Sequence, residues 1–333
     1  MRSEVYIFGA GTNGELCLKT CKEHGVSVAG ILDNYSSRPN LNGAAVLRPG
    51  QADKDISVVV TSPTVCMDIM NQLDWLGFSD VRNLSQFNDT LGIEPDWQRD
   101  LQENRDSYEW LRERLGDDES RRVFDAVVMF RKTLETSYLA GVQTDLKEQW
   151  FDPEFFQPGR HVYVDGGAYD GDTALEFIRR CPEYKEIYLF EPSVALSEAA
   201  KRKLMKHERY RSGDISIIRS GLSDALKTSR LQNAGLPSGS IAPEGEKILL
   251  TPLDHCTWIE PSFIKLDVEG SEKKAILGAE QKIRKHRPFI ACAVYHRPED
   301  LWEIPLILST LQDYKFYLRH YTQFYHETVL YCL

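Results

Sequence analysis

The chain has 333 residues, 42% apolar and 27% charged, the balance of an ordinary folded protein long enough for two domains. Its formal charge of −10 gives no electrostatic reason to bind a polyanion, so no nucleic-acid partner is expected. No run of about 18 apolar residues is present to span a bilayer, and the start MRSEVYIFGAG has no signal-peptide pattern, so the expected address is cytoplasmic. The seven cysteines are scattered, with no C-x-x-C pair, which suits reduced structural thiols.

From Val5 to about Leu84, strand-like and helix-like segments alternate: VYIFGAG, NGELCLKTCKEHG, VSVAGILDN, SVVVTSP and TVCMDIMNQLDWLG. Such alternation predicts parallel strands joined by crossover helices, hence a small Rossmann-like domain over residues 1–92. Gly9, Gly11 and Gly14 form G-x-G-x-x-G between a strand and a helix, Asn13 lies in the same turn, and Asp33 ends the second strand. That spacing can bind NAD, a nucleotide or a nucleotide-sugar, and it is equally compatible with a structural turn. Residues 93–149 read as a helical connector, because Val123, Ala126, Val127, Phe130, Leu134 and Tyr138 recur at helical spacing.

The α/β alternation resumes over residues 150–333: HVYVDGG, TALEFIRRCP, EIYLFEP, SEAAKRKLMKHE, ISIIRSGLS, PSFIKLDVEG, PFIACAVYH, LWEIPLILSTLQDY, KFYLRHY and ETVLYCL. The pattern predicts a doubly wound sheet whose last hairpin adds an antiparallel strand. In VDGGAYDGDT, Asp165, Gly167 and Gly171 sit where the first strand of this sheet ends. Glycines let backbone approach a ligand closely, whereas three aspartates in one turn repel phosphate and favour a ligand with an amine-bearing end. S-adenosylmethionine fits, carrying an amino group, a sulfonium and a ribose but no phosphate. The second strand ends in LFEP and places Glu191 where a carboxylate can accept both ribose hydroxyls.

Taken in order, VDGGAYDGDT, LFEP, GLSD, TPLDH, FIKLDVEGSE, VYHRPEDL and YLRHY resemble the FkbM family of S-adenosylmethionine-dependent methyltransferases, over roughly residues 150–333. DDESRRVF resembles the lead-in of longer members, and GAGTNG resembles a Rossmann-like extension that some members carry. The resemblance implies a seven-stranded class I methyltransferase sheet and methyl transfer to hydroxyl oxygens, with a sugar, glycan precursor or related secondary metabolite as small-molecule acceptor. It places Asp165, Gly167, Ala168, Tyr169, Asp170, Gly171, Asp172 and Thr173 around the methionine part. Glu191 would hold the ribose, with Pro192, Ser193, Leu222, Ser223 and Asp224 near the adenine.

Alignment of an acceptor oxygen with the sulfonium and removal of its proton call for groups at the ends of the fourth and fifth strands. Lys265, Asp267, Glu269 and His296 are the catalytic candidates. Asp267 would take the cofactor's amino group or act as base, and Glu269 or His296 would accept the hydroxyl proton. Arg319 and His320 are candidates for the acceptor pocket. Asp267, Glu269 and His296 also form a set able to hold Mg²⁺ or Mn²⁺, although no metal is required by their spacing. An NAD-dependent oxidoreductase and a non-catalytic nucleotide-sugar binding protein, both centred on GAGTNG, stay open as alternatives, as does a homo-oligomer.

Overall fold

A computed structural model describes residues 4–93, 95–232 and 239–333. Residues 1–3 of the expected first domain and residue 94 of the expected connector lie outside it. The chain forms two compact units. One comprises the residues through Arg99 with Arg122–Thr144 and His320–His326, the other Asp100–Arg121, Asp145–Arg319 and Glu327–Leu333.

The first unit contains β1 (Glu4–Phe8), α1 (Thr12–Glu23), β2 (Ser27–Leu32), β3 (Asn40–Leu41), β4 (Ala44–Leu47), β5 (Ser57–Val60), α2 (Cys66–Trp75), β6 (Val81–Asn83) and α3 (Leu84–Thr90). Its sheet has the order β3-β4-β2-β1-β5-β6 and is parallel except where β3 meets β4. Near-continuous apolar runs such as VYIF and SVVV fit strands covered on both faces. Ile7, Ile31 and Val59 pack with Cys17 and Cys21 of α1, while Phe8, Val58 and Val60 pack with Cys66, Ile69 and Leu73 of α2. These thiols fill the core, and all seven cysteines are free and buried.

The helical stretch holds α4 (Trp97–Glu103), α5 (Arg105–Arg114), α6 (Asp118–Thr133) and α7 (Ser137–Ala140). Its residues are divided between the two units. Phe130 packs 6.0 Å from Phe324 within the first unit, whereas Asp100 Oδ1 accepts a hydrogen bond of 3.3 Å from Trp302 Nε1 within the second.

The second unit continues with β7 (Val162–Gly166), α8 (Asp172–Arg180), β8 (Glu186–Phe190), α9 (Val194–Leu204), α10 (Glu208–Arg211) and β9 (Ile215–Ile218). Four short strands follow: β10 (Gly221–Leu222), β11 (Lys227–Gln232), β12 (Ser240–Ile241) and β13 (Glu246–Thr251). The chain closes with β14 (Phe263–Leu266), α11 (Glu272–Leu277), α12 (Glu280–His286), β15 (Phe289–Ala293), α13 (Asp300–Leu311), β16 (Phe316–His320) and β17 (Thr328–Cys332). The main sheet has seven strands in the order β16-β17-β15-β14-β7-β8-β9, parallel from β15 to β9, with β17 antiparallel to β15. The strand order reverses between β7 and β14, so the turns after these two strands leave the same edge and open a crevice, the place where such sheets hold ligands. The separate sheet β10-β13-β11-β12 was not expected from the sequence. Among the described residues no helix is long and apolar enough to cross a membrane.

Candidate functional site

The turn after β7 is locked by close approach. Gly167 has φ +76°, and a Cβ there would stand 1.8 Å from the carbonyl oxygen of Asp267, so only glycine lets the ends of β7 and β14 meet. Beneath the turn, Lys265 Nζ lies 3.1 Å from Asp165 Oδ1 and donates to the carbonyl of Gly167 at 2.8 Å. Both side chains are buried, at 2% and 0% exposure. Burial pushes the Asp165 carboxyl up against the opposing pull of Lys265, while the neighbouring acids outweigh burial at Lys265 and hold its ammonium above its ordinary value. Asp165, expected beside the methionine part, is thus wholly buried beneath the turn and paired with Lys265, which also lines the cavity above.

Above this pair opens a cavity of about 360 Å³. One wall is the LFEP corner. Glu191 Oε2 accepts from the backbone N–H of Tyr169 at 3.0 Å and Oε1 from that of Ser193 at 2.9 Å, which fixes the carboxylate plane at the cavity edge. Burial raises its pKa to about 7 despite these bonds. Beside it stand Pro192, Leu222, Leu231, Ile241, Ile248 and Leu250, so the small sheet supplies an apolar wall broad enough for a flat ring. The opposite wall is acidic and comes from the ends of β14, β15 and the β16–β17 hairpin: Asp267, Glu269, Tyr295 and Glu327. Tyr295 Oη lies 3.3 Å from both Asp267 Oδ1 and Glu327 Oε2, and Gln149 donates to Glu327. Burial pushes Glu269 and Glu327 each to about 7.

Seven non-glycine residues have positive φ among the described residues, and four of them, Trp150, Tyr169, Glu269 and Glu327, line this cavity. Left-handed backbone at non-glycine residues costs of order 1 kcal/mol or more and collects where a side chain must be aimed. The acidic wall is thus held in place against local preference.

His296 stands behind the acids. Its Nδ1 lies 3.0 Å from Glu272 Oε1, and its Nε2 lies 3.5 Å from both Asp267 Oδ1 and Glu269 Oε2. Glu272 is wholly buried and accepts from the Val268 N–H at 2.8 Å. Burial lowers the pKa of His296, but Glu272, Asp267 and Glu269 outweigh it and push it up to about 10. His296 thus stands among three carboxylates, behind the cavity wall rather than in it.

Other expected residues divide sharply. Gly167, Tyr169, Asp172, Thr173, Glu191, Pro192, Leu222, Lys265, Asp267 and Glu269 line the cavity. Ala168, Asp170, Gly171, Ser193, Ser223 and Asp224 do not. Asp170 pairs with Lys203 at 2.5 Å and Asp224 with Lys227 at 3.1 Å, while Gly171 caps α8 at φ +83° and Ser193 caps α9. Arg319 is also elsewhere: its guanidinium is taken by Asp117 at 2.9 Å and by Glu154. His320 is fully buried, and burial lowers its pKa to about 3. Neither lines the cavity. Glu327, Glu272 and Gln149 were not singled out from the sequence. Glu272 sits inside the FIKLDVEGSE segment, but Glu327 stands alone in its hairpin with no motif around it.

In the first unit the Asp33 carboxylate accepts backbone N–H groups of Ala10 at 2.9 Å, Tyr35 at 2.8 Å and Ser36 at 2.7 Å. Asn13 donates to the Thr61 carbonyl at 3.2 Å. Gly9 has φ +122°, and a Cβ on Gly14 would meet the Gly9 oxygen at 1.9 Å, whereas one on Gly11 meets nothing within 4 Å. These groups anchor the glycine turn.

Residues 165–318 match the methyltransferase FkbM domain. A methyltransferase FkbM from Methylobacillus flagellatus KT is similar over 100% of this chain and 90% of its own, with TM-score 0.77 and 21% identity, a likeness that speaks for the fold. Two further structures are similar only at TM-scores too low to carry argument. A precorrin-6y C5,15-methyltransferase from Geobacter metallireducens GS-15 has TM-score 0.34 and 12% identity over 53% of this chain and 80% of its own. Aeropyrum pernix fibrillarin with natively bound S-adenosyl-L-methionine has TM-score 0.35 and 11% identity over 53% and 67%. No curated protein matches the chain.

Proposed function

We propose that this chain, which over residues 165–318 belongs to the FkbM methyltransferase family, methylates a hydroxyl oxygen of a small polar acceptor of the sugar or glycan-precursor class. One observation carries the reading: a single cavity joins an apolar wall and a backbone-held carboxylate, Glu191, to an opposite wall rich in proton acceptors. S-adenosylmethionine supplies an electrophilic methyl on a sulfonium. Glu191 accepts the ribose hydroxyls, the wall of Leu222, Ile248 and Leu250 takes the adenine, and the Tyr169–Thr173 turn borders the methionine part.

The acid pole takes the acceptor. Asp267 and Glu269 receive hydrogen bonds from its hydroxyls, a pattern that suits a polyhydroxylated molecule, and Glu327, poised near 7, accepts the proton of the reacting one. The acceptor oxygen bonds the methyl carbon as the carbon–sulfur bond breaks and its electron pair returns to sulfur. His296 and Tyr295 keep these carboxylates in position.

Calorimetric titration with S-adenosylhomocysteine tests the site. Saturable binding by the wild-type chain, weakened at least about tenfold in Glu191→Ala, is the expected result, since removing one acceptor of two hydroxyls forfeits about 1.5–3 kcal/mol. No binding by the wild type, or equal binding by both, would sink the reading. An acceptor screen with labelled methyl donor then separates hydroxyl from other acceptors.

A further inference from the structure

Around His296 the second unit gathers more donor atoms than the ion pairs use. Carboxylate oxygens of Asp267 and Glu272 and a ring nitrogen of His296 lie within 4.8 Å of one another. Glu269 Oε2 stands 3.5 Å from His296 Nε2, too long for a good hydrogen bond. Glu272 stands at Nδ1 of the ring and Asp267 and Glu269 at Nε2, and neighbouring ligand atoms around an ion with bonds of about 2.0–2.2 Å stand roughly 3–3.5 Å apart, so an ion requires Asp267 and Glu272 to converge on one ring nitrogen.

A further feature points the same way. Glu272 is wholly buried at 0% exposure, and its Oε2 has no hydrogen-bond partner among the described residues. An ionised oxygen is costly to bury without a partner. Three carboxylates, those of Asp267, Glu269 and Glu272, face one imidazole, and Glu269 is held there through a left-handed backbone at φ +53°.

We propose that Asp267, Glu272 and His296, with Glu269 at the open side, bind one divalent transition-metal ion of the Mn²⁺ or Zn²⁺ class. Two carboxylates with one imidazole favour such ions over Mg²⁺ or Ca²⁺, whose ligands are oxygens. The role assigned to the ion rests on the methyl-transfer reading: Asp267 and Glu269 line the acceptor end of the cavity, so an ion there polarises the acceptor hydroxyl and eases loss of its proton. Occupancy itself does not depend on that reading.

The test uses the full chain, stripped with a chelator and dialysed. Mn²⁺ is titrated while its free form is followed by electron paramagnetic resonance, and Zn²⁺ is titrated by calorimetry. The expected result is saturation at one ion per chain, weakened about 10–100-fold in His296→Ala and in Glu272→Gln. Because those two sites are buried, the more exposed Glu269→Gln is measured beside them and is expected to lose about tenfold, with circular dichroism reporting the fold of each variant. Glu191→Ala should keep the ion while losing S-adenosylhomocysteine, which separates failure of this site from failure of the cofactor site. Absence of saturable binding of either ion by the folded wild-type chain overturns the proposal, as does ion binding unchanged in every folded variant of Glu269, Glu272 and His296.

Discussion

Glu191 shows how one residue's environment sets a measurable behaviour. Burial disfavours its charge, the Ser193 and Tyr169 N–H groups restore part of it, and the balance lies at about 7. A carboxyl that must accept from two ribose hydroxyls does so fully only when ionised, because the protonated form turns one acceptor into a donor. Affinity for S-adenosylhomocysteine should therefore tighten as pH rises from about 5.5 towards 7 and level above it, by at most about tenfold per pH unit. Glu191→Gln should flatten the profile. Calorimetry across that range checks this, and an affinity that falls with rising pH in the wild-type chain would contradict the role given to Glu191.

At the scale of elements, both glycine turns are shaped by close backbone approach at one glycine, Gly14 in the first unit and Gly167 in the second. In α1, a methyl group on Gly14 would collide with the Gly9 carbonyl, whereas one on Gly11 points into open space. Gly14→Ala should cost about 1–3 kcal/mol in urea unfolding by prising α1 from β1, and Gly11→Ala should cost less than about 1. Equal costs would mean that the close approach does not govern the spacing. The parallel strands were legible because VYIF, SVVV and FIACA are near-continuous apolar runs, and that pattern has few other homes. The sheet β10-β13-β11-β12 was not, since KTSRLQ is polar and mostly exposed, with Leu231 alone buried, and so lacks the apolar alternation that marks a strand. Two cavity-lining residues, Glu191 and Asp267, were legible because they follow strand ends. The pairing of Asp165 with Lys265 was hidden because it belongs to the register of β7 beside β14, Lys265 opposite Asp165, which no linear motif reveals. Glu327 stayed hidden because its place depends on β17 returning antiparallel to β15.

Across the whole molecule, the two units answer acid with opposite signs. His320 belongs to the first unit and is buried neutral, its pKa lowered from 6.5 to about 3. Between those values the unfolded chain binds the proton and the folded one does not, so the first unit loses stability as pH falls below about 6.5, at about 1.4 kcal/mol per pH unit. Glu191 and Glu327 belong to the second unit and are raised from 4.5 to about 7. There the folded form binds the extra protons, so the second unit gains stability as pH falls from about 7 to 4.5. Glu176, pulled down to about 2 chiefly by Arg179, opposes this only below about 4.5. Near pH 5 the first unit should therefore open first. Hydrogen exchange corrected for intrinsic rates would show β1 and β5 losing protection between pH 7 and 5 while β7 and β14 keep theirs. His320→Gln should remove most of the first unit's loss, about 2 kcal/mol over that interval. Loss of protection in β7 and β14 before β1 and β5 would mean that the buried acids of the cavity do not retain their protons in the folded chain.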